Sequence, residues 1–216
     1  NLALNRSLND LLPLWNEKKL TFALGVGWSK PSRSHFKAMD QWSTGNQEGI
    51  GKGWIAEISD SIKNKNYLLS LGPTSSIALE GGVSNSLHFI GNENKIIELI
   101  NYENSDLLKD RKILQQLIEI EKFSTNEIRK IKNKIKPLPS NIKIPKGSLS
   151  KQTSLALKLI NSDSTPSFMH LEQSGYDTHQ NQAIRQNKKL SDLGSTIYAL
   201  KRGAETLNKD LDLNKK

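Results

Sequence analysis

The chain has 216 residues, 35% hydrophobic and 25% charged, with a formal net charge of +9 and no cysteine. Its length supports a real core, and its composition is that of a folded rather than a disordered chain. The missing cysteine removes disulfide frameworks, thiolate zinc sites and cysteine nucleophiles, and no run approaches the ~20 apolar residues of a membrane-spanning helix.

The chain opens at Asn1 with no basic-then-apolar leader, as expected of a processed chain or of a piece of a longer one. Leu4, Leu8, Leu11, Leu12 and Trp15 recur at three- and four-residue spacing and predict an amphipathic helix over 4–17. The short apolar run at 21–26 reads as a buried strand closed by Gly25 and Gly27. Residues 28–53 show no sustained period and are expected to form a long loop. Strands are expected at 67–71 and 76–80, separated by the turn signal Gly72-Pro73.

From about residue 95 the pattern turns helical. Leu107, Leu108, Ile113, Leu114, Leu117 and Ile118 predict one helix, starting near Ser105 and Asp106. Ser124-Thr125-Asn126-Glu127 is a capping box opening a second, with Ile128, Ile131 and Ile135 on one face. Pro137, Pro139, Pro145 and Gly147 mark an internal boundary, so 95–147 reads as a helical, lysine-rich insertion. The charge concentrates here: residues 109–151 hold 12 Lys/Arg against 4 Asp/Glu, whereas residues 1–100 hold 10 against 9. Nucleic-acid readers favour Arg forks and interleaved aromatics. This segment is dominated by Lys and has one aromatic, Phe123, so it reads as a solvated helix face and no nucleic-acid partner is expected.

The last third has the clearest grammar. A helix over 149–161 turns Leu155, Ala156, Leu159 and Ile160 inward, a turn spans 162–166, and a strand follows at 167–172. After a loop at 173–180 comes a long helix with Leu190, Leu193, Ile197, Leu200, Ala204 and Leu207 on one stripe. That stripe covers under three heptads, so it reads as a helix docked on a sheet rather than a coiled coil. Helix, strand, loop and helix in this order imply an α/β layer with helices on both faces.

Two settings carry candidate chemistry. In Gly175-Tyr176-Asp177-Thr178-His179-Gln180, an extended Asp-x-His places both side chains on one face, within reach of one divalent ion. Gly175 lets the chain turn sharply out of the strand. Asp177 with Gln180 reads equally as a helix cap with its reciprocal partner. In Ser32-Arg33-Ser34-His35-Phe36, an Arg and two hydroxyls beside a His suit an anion or a substrate oxygen, but the residues alone read better as a solvated loop with Ser34 or Ser32 capping the next helix. His170 and His88 sit in apolar runs and read as core histidines. The chain has no G-x-S-x-G elbow, P-loop, dinucleotide fingerprint or H-E-x-x-H.

These strings give the chain a family resemblance. Leu2-Ala3-Leu4-Asn5 leads to Leu11-Leu12-Pro13-Leu14-Trp15, followed by Pro31-Ser32-Arg33-Ser34-His35-Phe36 with Asp40 and Gly45. Gly53-Trp54-Ile55, Leu149-Ser150-Lys151-Gln152 with Leu159-Ile160, and Gly175-Tyr176-Asp177-Thr178-His179-Gln180-Asn181-Gln182 come next, so the matches span 2 to about 208. In these the chain resembles the domain-of-unknown-function 1501 family, exported bacterial proteins of the alkaline-phosphatase-like superfamily.

The resemblance implies a layered alkaline-phosphatase-like α/β fold and a periplasmic or extracellular location, reached by twin-arginine export. It also implies hydrolysis of an anionic phosphate or sulfate ester with a divalent metal ion (zinc, manganese, calcium or magnesium). Asp177 and His179 would then be ligands of one metal, with Arg33 and His35 in the substrate pocket. Family members are expected to carry a Gly-rich segment with an Asp before this region and a Thr-Asp-His-Gly-like segment after it. Both are missing here, so residues 1–216 are expected to be the central part of one such domain, inactive alone. The alternative is a non-catalytic exported protein that keeps the fold for binding or assembly.

Overall fold

Leu68, Leu69 and Ser70 are each almost wholly buried, as suits a strand covered on both faces. The computed structural model describes residues 3–62, 68–74, 76–82, 86–88, 126–127, 129–162 and 166–207, with 113, 119 and 122 besides. Leu68–Ser70 forms strand β1, Ser86–His88 forms β2 and Phe168–His170 forms β3. They make a parallel sheet in the order β2-β1-β3, with Leu69 opposite both Leu87 and Met169.

Alternation along β1 sends neighbouring side chains to opposite faces. Leu69 packs with Ile131, Ala156 and Leu159 on one face, joined by Met169. Leu68 packs with Ala56 and Leu79 on the other, beside Phe168. The helices are α1 (Leu12–Asn16), α2 (His35–Thr44), α3 (Trp54–Ser61), α4 (Ser150–Ile160) and α5 (Gln182–Thr206). Helix α4 and the helical residues around Ile131 therefore cover one face, and α3 covers the other. The chain is mixed α/β with an open parallel sheet, the class its sequence grammar implies.

Helix α5 lies against α4 because its inner face is small. It buries Gly194, Thr196, Gly203 and Ala204, and a Cβ on Gly203 would meet Leu157 Cδ2 at 2.6 Å. The N-terminal segment is tied to the same helix by charge. Arg202 grips Glu17 with both guanidinium nitrogens and also pairs with Glu205 at 2.9 Å, while Lys19 reaches Glu205 at 2.8 Å. No helix among the described residues is long and apolar enough to cross a membrane.

Four expectations change. The helix over 4–17 splits into a 3-10 helix, Arg6–Leu11, and α1, because Pro13 lacks the N–H that would continue one helix through. The run at 21–26 is not a strand: Leu24 and Val26 are mostly exposed, and among the described residues no neighbouring strand supplies a ladder there. The run at 76–80 is a short 3-10 helix, Ile77–Leu79, whose Ala78 and Leu79 are buried; its apolar character reports burial and not extension. Residues 28–53 contain α2, which Ser34 opens by accepting the Lys37 N–H at 3.5 Å and Gly45 closes in the left-handed region. The helix expected at 107–118, apart from Ile113, the cap at 124–125 and most of 95–147 lie outside the described residues. Of the part that is described, 126–127 and 129–134 are helical, with Ile131 buried and Lys134 exposed, and 135–147 is turn and irregular chain.

Candidate functional site

Strand order decides where a crevice opens. β2 and β3 flank β1 on opposite sides, so the chain diverges at the carboxyl ends of β1 and β3. Open parallel sheets bind ligands at such a point. Polar groups crowd this end. Ser70 Oγ lies 3.4 Å from His170 Nδ1, and Thr74 Oγ1 donates to Glu172 Oε2 at 2.6 Å. The Gln152 side chain pairs with both backbone groups of Glu172 at 2.8 Å, which fixes the direction in which the chain leaves β3. His170, expected as a core histidine, is half-buried against Ser70, while the surroundings of His88 lie outside what is described.

The loop after β3 is pinned to α5. Gln173 Nε2 donates to Asp192 Oδ2 at 3.2 Å, Tyr176 donates to Gln173 Oε1 at 2.5 Å, and Lys189 donates to the Ser174 carbonyl at 2.6 Å. Gly175 takes φ +80°, the sharp turn its glycine suggested. Partial burial, and after it the Asp192 charge, push the Tyr176 phenol above its ordinary pKa.

Beyond this turn Asp177 and His179 share one side of the chain. His179 Nε2 lies 2.9 Å from Asp177 Oδ2, with the side chains 85% and 69% exposed respectively. The cap reading of Asp177 is overturned, since α5 begins after Asn181, which sits at φ +51° and makes no side-chain cap. The 2.9 Å separation is the distance of a direct imidazole–carboxylate hydrogen bond, and it is also the spacing of two donors about 2.1 Å from one ion at a right angle. Among the described residues no group of three or more His, Cys, Asp or Glu side chains gathers around an ion position.

Arg33 and His35 are exposed at the start of α2, and neither lines the cavity of about 690 Å³ that opens beside Asp177. That cavity is walled instead by the first turns of α5 and the loop before α4, with Lys146, Ser148, Arg185, Lys188 and Asp192 among its residues. Sequence reasoning did not single these out. Arg185, Lys188 and Lys189 recur at helical spacing and were a readable signal; the arrival of Lys146 and Ser148 from a distant loop was not. No family model, no curated protein and no solved structure matches this chain.

Proposed function

We propose that this chain belongs to a metal-dependent hydrolase of phosphate or sulfate esters, exported to the periplasm or beyond, and that it supplies two ligands of one divalent ion. The observation that carries the reading is the Asp177–His179 pair, 2.9 Å apart on exposed side chains just past the carboxyl end of a parallel strand. Zinc, manganese, calcium or magnesium, when bound, would act as a Lewis acid and lower the pKa of a coordinated water or hydroxyl. Asp177 offers the anionic oxygen, and His179 binds through Nε2 in its neutral form. Just before the pair, Tyr176 is tied to Gln173 and Ser174 to Lys189 without a metal. Arg33 and His35 are proposed as substrate contacts on the family resemblance alone.

The test is metal binding by the chain itself. Titration with zinc or manganese, checked by metal analysis, is expected to show an ion bound by wild type. Asp177→Asn and His179→Ala are each expected to weaken it more than about tenfold, with melting temperature unchanged. Equal binding by all three proteins, or none by wild type, removes the ligand assignment.

A second reading, a non-catalytic protein of binding or assembly, draws support from the apolar surface of α2, where Phe36, Met39 and Trp42 are 83%, 66% and 53% exposed.

A further inference from the structure

Four cations line the cavity beside Asp177: Lys146 from the loop before α4, and Arg185, Lys188 and Lys189 from the first two turns of α5. Among the described residues only two carboxylates, Asp177 and Asp192, share that lining. Both are already engaged. Asp177 faces His179, and Asp192 Oδ2 accepts from the Ser148 N–H at 2.7 Å, from the Ser148 hydroxyl and from Gln173. Lys189 is spent on the Ser174 carbonyl and the Tyr176 ring. Lys146, Arg185 and Lys188 form no ion pair among the described residues.

Like charges three residues apart on a helix repel, and the repulsion is relieved when an anion lies between them. The helix end adds to the same field. No acidic residue occupies the first turn of α5 and the Asn181 side chain does not cap it, so its positive pole adds to the field. Thr178 also lines this cavity, and its Oγ1 is buried with no hydrogen-bond partner among the described residues. A buried polar atom left unpaired costs free energy, which a ligand oxygen recovers.

We propose that Lys146, Arg185, Lys188 and Thr178 form an oxyanion site that holds the phosphate or sulfate group of a small organic ester. Arg185 supplies the planar fork that matches a tetrahedral oxyanion, and the two lysines supply point charges. The cavity, at about 690 Å³, exceeds an inorganic ion and lies in the ordinary range of small-molecule sites, so the carrier of the anion enters with it. As a substrate site this rests on the hydrolase reading; as an anion site it stands without a metal.

The experiment is an amide NMR titration of chelator-treated protein with inorganic phosphate, sulfate and glucose 6-phosphate. Saturable shifts are expected at Ser148, Thr178 and Ala183 with all three, and glucose 6-phosphate is expected to bind more tightly than phosphate. The double variant Arg185→Gln/Lys188→Gln is expected to lose about tenfold or more in affinity. Lys143→Gln removes one charge from an exposed residue outside the cavity and is expected to leave binding unchanged. Melting curves confirm that each variant is folded. Shifts that never saturate, equal losses in Lys143→Gln, or binding only to a single-stranded oligonucleotide would each overturn the site. Because no metal is present, failure here leaves the Asp177–His179 ligands untouched, and loss of metal in Asp177→Asn leaves this site untouched.

Discussion

Helix α5 buries Gly194, Thr196, Gly203 and Ala204, whereas α2 buries Gln41 and Thr44 and turns Phe36, Met39 and Trp42 to solvent. The first helix is held by close approach: its small residues admit Leu157 and Leu8 almost to the backbone. The second is held by hydrogen bonds. Gln41 Nε2 donates to the Gln47 carbonyl at 2.6 Å, Gln47 Nε2 to the Lys30 carbonyl at 2.6 Å, and Lys37 reaches the Glu48 carbonyl. Apolar packing links an element to the whole core, whereas short-range polar ties link it only to its neighbours. Helix α5 is therefore expected to unfold with the molecule and α2 to open by itself.

The largest effect tests that contrast directly. Leu157 is fully buried against Ile160 and Ala204, and Leu157→Ala is expected to cost about 2–5 kcal/mol of global stability. The matched truncation in α2, Phe36→Ala, removes a ring that is 83% exposed and is expected to stay within about 0.5 kcal/mol. Denaturant midpoints at constant m-value measure both. A Phe36→Ala loss as large as that of Leu157→Ala would show that α2 belongs to the core after all.

The same contrast explains what the sequence disclosed. Leu155, Ala156, Leu159 and Ile160 recur at helical spacing and do face inward or pack at the core's margin in α4, and β3 with the long helix after it lies where the pattern put it. Periodicity reports burial faithfully when the apolar stripe is the inner one. In α2 the apolar stripe is the outer one, and the buried residues are polar, so the expectation of a loop at 28–53 missed a helix. The site divides in the same way. Asp177 and His179 converge because of a two-residue spacing that any reader can see, while the cavity joins Lys146 to Arg185 by tertiary packing that no local pattern encodes.

A smaller effect is expected at the start of α2. The Ser34 hydroxyl accepts the Lys37 N–H at 3.5 Å, a long and exposed cap. Ser34→Ala is expected to cost about 1 kcal/mol, and only locally. Hydrogen exchange is expected to quicken at the α2 amides while the α4 and α5 amides keep their rates. A parallel loss of protection in α4 and α5 would mean that the two regions open together.

The smallest effect lies in the ionic clasp that joins the N-terminal segment to α5. Hydrogen bonds from Arg202, and after it from Lys19, hold the Glu17 carboxyl down at about 2 from an ordinary 4.5. Lys19 and then Arg202 lower Glu205 as well, and Lys19 is raised in return by Glu205 and Glu17. A carboxyl depressed on folding contributes stability that is complete above its unfolded pKa and is lost as pH falls through its folded one. For Glu17 that window runs from about 4.5 down to about 2. The clasp is partly solvent-exposed, so salt screens it and its contribution is modest. The expected outcome is a stability difference between wild type and Glu17→Gln that is constant above about pH 5 and shrinks toward pH 2. Raising the ionic strength at neutral pH is expected to shrink it as well. Denaturation series at matched pH measure the difference. If it stays constant down to the lowest pH, the charge on Glu17 is not what fastens the N-terminal segment, and the packing of Leu8 and Leu11 over Gly194 carries that role alone.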